Sequence, residues 1–191
     1  MNLLEFFVAV PRLPFASAAG LILLAIACGF TDWKYSKVYN VVTIPCMAAG
    51  IAVWGVAAGW SGASRAASGL LIGAGLFLVP YLQGGVGAGD VKMFGAVGAL
   101  GGWPFVLLAV AYSILIGGAM ASWVLWRRGR FLATLKKICL IALTVVFRRL
   151  GALTPEEDPD AANRLTIPMG LAISVGTMAA LADHIWHWGI L

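Results

Sequence analysis

Chemistry in this chain has few places to reside, since only eight of its 191 residues are acidic. Glu156, Glu157, Asp158 and Asp160 crowd into the Pro-containing stretch 154–163 (TPEEDPDAAN), which reads as a solvated loop. Glu5 and Asp183 lie toward the outer ends of apolar runs. Asp32 and Asp90 remain, each at the border of a long uncharged segment, where an acid is costly unless it is solvated or used. Two carboxylates held close together do not both ionise readily, so they share a proton and titrate as a pair. One of them can then take a proton from water while the other donates one to a peptide carbonyl. Such chemistry requires no metal and no cofactor. His184 and His187 lack companions for a metal site and are expected at a membrane interface. Cys28, Cys46 and Cys139 sit in apolar stretches without redox or metal spacing and read as small buried hydrophobes.

Each acid also has an ordinary explanation. Asp90 follows Gly84-Gly85-Val86-Gly87-Ala88-Gly89, a turn where backbone can approach closely, and it opens a helix, where an acid is favoured by capping and by the dipole. Lys92 beside it is either an orientation signal or a charge that tunes the site. Asp32 precedes Lys34 and Lys37 and would pass for a loop acid at a helix end.

The elements that must carry these acids are membrane helices. Hydrophobic residues make up 61% of the chain and charged residues 11%, against about 25% charged in soluble domains. So few charges cannot coat a water-facing surface. A crossing needs about 20 apolar residues. Leu13–Thr31 supplies the first, Val38–Ser64 holds the second, Ala66–Gly89 the third and Leu165–Ala182 the last. The uncharged stretch Met93–Trp126 would be roughly 51 Å long as one helix, too long for one crossing. Gly101-Gly102-Trp103-Pro104 offers a break, because Gly-Gly-x-Pro disfavours continued helix and Pro suits a helix start. The expectation is a short fourth span over Asp90–Leu100 and a full fifth over Pro104–Trp126. Little at the N-terminus resembles a cleavable signal: Glu5 and a single Arg12 make a poor basic region.

Loop charge supports six crossings. One side then receives Lys34, Lys37, Lys92, Arg127, Arg128, Arg130, Lys136, Lys137, Arg148, Arg149 and Arg164, while Arg12 and Arg65 fall on the other. That asymmetry places both chain ends outside and the 127–164 connection in the cytoplasm. Asp32 and Asp90 come out on the cytoplasmic side at similar depth. Phe131–Phe147, basic at both flanks (131–149), reads as an interfacial or re-entrant helix against anionic headgroups. Trp33, Tyr35, Tyr39, Trp60, Trp123, Trp126, Trp186 and Trp188 fit interfacial belts. The fold class is therefore all-α: a polytopic membrane protein of about six transmembrane helices, one membrane-embedded domain over 1–191.

Three blocks carry a family resemblance. Gly84–Gly102 (GGVGAGDVKMFGAVGALGG) closely resembles the Gly-x-Gly-Asp region of the type IV prepilin peptidases, with Lys two residues after the Asp. Asp32–Asn40 (DWKYSKVYN) resembles their other motif, an Asp followed eight residues later by Asn, although Val38-Tyr39 stands where the family usually has Ile-Pro. Arg164–Gly176 (RLTIPMGLAISVG) resembles their last-helix signature. The resemblance implies that Asp32 and Asp90 are catalytic, with Gly87, Gly89, Lys92 and Asn40 in support. It further implies a bacterial inner-membrane aspartyl endopeptidase that removes the basic leader from prepilin-like substrates at the cytoplasmic face. The partners implied are such a substrate with its apolar helix, the lipid bilayer and the pilus assembly machinery, and no nucleic acid. Larger members add an N-terminal cytoplasmic portion with paired cysteines and an N-methyltransferase activity. This chain resembles the short tight-adherence (Flp) type, from which cleavage without methylation is expected. The competing classes are a small transporter or channel, whose spans also carry polar residues, a non-catalytic pilus assembly subunit, and the presenilin-like proteases.

Overall fold

A computed structural model describes residues 12–129 and 169–188. Among them are four helices: α1 (Phe15–Tyr35), α2 (Asn40–Leu82), α3 (Ala88–Arg127) and α4 (Met169–Trp188). All four are long and apolar enough to cross a membrane. The expected interfacial helix and the acidic loop, and Cys139 with them, lie outside the described residues.

Two of the helices are each a pair joined at a break. In α3 the break is at Gly102, with φ 77° and ψ 172°, inside the Gly-Gly-Trp-Pro sequence where composition places it. In α2 it is at Ala58 and Gly59, the latter at φ 61° and ψ −143°. Here the expected boundary at Arg65 is corrected: Arg65 lies within the second half of α2. The reason is that Arg65 need not leave the helix. Its guanidinium lies 5.7 Å over the Trp54 ring, and its stem packs against Gly102, where a Cβ would stand 2.9 Å from the Arg65 Cγ. A long side chain can thus cover apolar surface while its charge finds an aromatic face. The turn is left to Gly59, whose left-handed φ favours glycine. The second half of α2 also ends sooner than expected, at Leu82, and the glycine-rich turn closes with Gly84 N–H on the Tyr81 carbonyl and Gly85 N–H on that of Pro80.

The first half of α3 is the centre of the packing. Every residue from Met93 to Gly102 is buried, and Asp90 before them is buried too. A helix apolar all round belongs in an interior, which is how so short a segment is accommodated. Glycines make the approach possible. A Cβ on Gly50 would fall 2.6 Å from the Ala99 backbone, and Gly69 and Gly98 press backbone to backbone. Such small-residue contacts replace the hydrophobic driving force that lipid does not supply. Phe77 stacks on Phe94 with ring centroids 4.0 Å apart. At the break, Pro104 has no N–H to offer the Leu100 carbonyl, and the Trp54 indole Nε1–H donates to it at 2.8 Å.

Contact density divides the chain into a unit of 1–117 with 168–191 and a unit of 118–167. In the first, α1 packs against α4 and α2. In the second, the described residues include Trp123 and Trp126, with ring centroids 5.6 Å apart and Arg127 over Trp123.

Candidate active site

Asp32 and Asp90 line one cavity of about 290 Å³, together with Ser36, Lys37, Val38, Tyr39, Gly87 and Gly89. They are 7% and 8% exposed, so neither is the solvated loop acid that its sequence neighbourhood allows.

Asp32 is in the last turn of α1. Its carbonyl accepts the Ser36 N–H at 2.8 Å, and Ser36 ends the helix in the left-handed conformation with φ 50°. The chain then runs through Lys37 and Val38 to Tyr39, which begins α2 from an extended conformation. The Asp32 carboxylate is met from elsewhere. Its Oδ2 accepts the Leu171 N–H at 3.0 Å, from the first turn of α4. Gly170 lies so close that a Cβ there would be 2.8 Å from the Asp32 Cγ.

Asp90 is held by its own turn. Gly87 accepts the Asp90 N–H on its carbonyl at 3.1 Å, and its own N–H donates to the Asp90 Oδ2 at 3.2 Å. An acid in the first turn reaching back to the N–H before the helix is half of a capping box. Gly89 faces the 36–39 connection, where a Cβ would sit 2.9 Å from the Val38 Cβ. Val38, one of the two positions that depart from the family's usual Ile-Pro, is therefore the residue packed on the Gly-x-Gly-Asp turn.

The supporting residues are close by. Lys92 Nζ donates to the Asn40 Oδ1 at 2.9 Å, fastening the start of α2 to the start of α3 across 52 residues of sequence. Cys28 is buried and Cys46 half-buried, both as free thiols. His184 is buried, 1% exposed and edge-on to Phe105 with centroids 6.0 Å apart. It continues the buried stripe of Ile173, Thr177, Ala180 and Leu181 on α4, which has helical spacing. His187 points outward and pairs with Asp183 at 3.2 Å.

Sequence reasoning missed Gly170 and Leu171. A last span held within Leu165–Ala182 puts the Leu171 N–H inside a helix, where a carbonyl four residues back would accept it. Pro168 was the available signal, since proline favours a helix's first turn over its interior. A start near 169 leaves the next few N–H groups free to meet a carboxylate.

Comparison with known proteins finds a family match over the central part of the chain. The family model described as the type IV leader peptidase family matches residues 19–122, which include both acids but not α4. No curated protein and no solved structure matches the chain. With more than half of its length matched by that model, the chain belongs to the type IV leader peptidase family, a family of peptidases.

Proposed function

We propose that this peptidase is a membrane aspartyl endopeptidase that uses Asp32 and Asp90 to cut the basic leader from prepilin-like substrates at the cytoplasmic face of a bacterial inner membrane. The observation that carries the reading is the single cavity into which two different helices bring two buried carboxylates. Among the described residues both backbone donors engage Oδ2, at Leu171 for Asp32 and Gly87 for Asp90, and each Oδ1 is then the oxygen that addresses a water or a substrate carbonyl. One carboxylate takes a proton from the water as its oxygen attacks the scissile carbonyl carbon. The other donates its proton to the carbonyl oxygen as that oxygen gains charge. Collapse of the tetrahedral species then returns a proton to the departing amine.

Breaks at 58–59 and at Gly102 turn four apolar helices into six crossings on this reading. Asp32 then ends the first crossing and Asp90 begins the fourth, on the side that collects most of the Lys and Arg. Lys37 lines the cavity itself. A basic leader is not drawn by that charge, so substrate is held through its apolar helix, packing against small residues. Co-expression with a candidate prepilin tests the proposal. Leader removal is expected from the wild type and is expected to be lost in Asp32→Asn and in Asp90→Asn. Cleavage that persists in either variant removes that residue from the mechanism.

A further inference from the structure

We infer that the first turn of α4, through Gly170 and the Leu171 N–H, is the positioning element for Asp32. The inference rests on the aspartyl reading above, and it assigns a role to an element outside the matched family region.

Asp32 gains nothing from its own turn to fix its side chain. Among the described residues, the hydrogen bond to its carboxylate comes from Leu171, 139 residues away. Gly170 sets how closely that donor can approach. A Cβ there would lie 2.8 Å from the Asp32 Cγ, 2.9 Å from its Cβ and 3.0 Å from its Oδ2, distances at which something must move. One turn further along, the same two helices meet again. A Cβ on Gly29 would lie 2.8 Å from the Ser174 Oγ, and Ser174 donates that hydroxyl to the Gly170 carbonyl at 2.8 Å. The register of α4 on α1 is thus set at two successive steps, and the lower step ends on the carboxylate. A backbone donor aimed at a carboxylate fixes the direction in which that carboxylate points. Neither Gly170 nor Leu171 is among the described residues that line the cavity. They act through Asp32.

Leu171→Pro deletes the donor, at a position in the first helical turn where proline is tolerated. Leu171→Ala keeps the donor and removes only the side chain. The full chain, purified and reconstituted, is assayed for prepilin cleavage with kcat and KM separated and its thermal midpoint recorded. Leu171→Pro is expected to show a kcat about tenfold to a hundredfold below that of Leu171→Ala, with KM within about twofold. Gly170→Ala, which keeps the N–H but adds a methyl against the carboxylate, is expected to lower kcat similarly. It decides the question if the proline variant does not fold. Gly117→Ala serves as the packing control, because its Cβ would meet Ala172 of α4 at an ordinary 3.5 Å. A folded Leu171→Pro whose kcat equals that of Leu171→Ala overturns the inference, as does a folded Gly170→Ala with wild-type kcat. Asp32→Asn, run alongside, separates the two levels: if it still cleaves, the aspartyl reading fails, and if it does not, only the positioning role is at issue.

Discussion

Asp90 and Asp32 share a cavity but are held in different ways. Asp90 is fixed by residues three positions away: Gly87 gives an N–H to its carboxylate and takes its backbone N–H in return. Asp32 is fixed by a helix at the other end of the chain, through Leu171 and the absence of a side chain at Gly170. One acid therefore arrives with its support built in, and the other acquires it only when α4 docks. A short motif can encode the first arrangement. The second is a property of the folded bundle.

Substitutions can sharpen or break that contrast. The largest effect on the Asp90 side is expected from Gly89→Val, because a Cβ there already meets Val38 at 2.9 Å. Cleavage should fall by more than about tenfold and stability by roughly 1–3 kcal/mol, read by a prepilin assay and a thermal melt of the same sample. A smaller effect is expected from cutting the Lys92–Asn40 link. Lys92→Met and Asn40→Ala should each cost about 0.5–1.5 kcal/mol of stability, and the double variant should cost less than their sum, because both remove one interaction. Additive losses would show that the two side chains do not act together. The smallest effect is expected from Gly87→Ala, where the new Cβ would be 3.3 Å from the Asp90 Oδ2 and the N–H is kept. Its kcat should stay within about threefold of wild type, well above that of Gly170→Ala. Equal losses at the two glycines would erase the distinction between the two acids.

The same contrast separates what could be read in the sequence from what could not. The Asp90 turn was legible because its glycines and its helix start are local features. So was the break in α3, since Gly101-Gly102-Trp103-Pro104 interrupts helix by its own chemistry. The break in α2 was not, because Ala57-Ala58-Gly59 carries neither charge nor proline, while Arg65 looks like a boundary and instead lies over Trp54. The burial of His184 was not legible either, because only its register with Ile173 and Leu181 shows the buried stripe. Asn40 and Lys92 were recognisable by resemblance, but nothing in their separation reveals that they bond to each other. The meeting of Asp32 with Leu171 depends on how α4 packs against α1, which no local pattern records.

The central claim is that Asp32 and Asp90 work as one unit, and a double-variant cycle on purified enzyme with a prepilin substrate measures that directly. The account predicts that Asp32→Asn, Asp90→Asn and the double variant all fall by at least about 10²-fold to one common residual rate, because removing either member disables the pair. Near-wild-type cleavage by either single variant, or losses that multiply in the double variant, would contradict it.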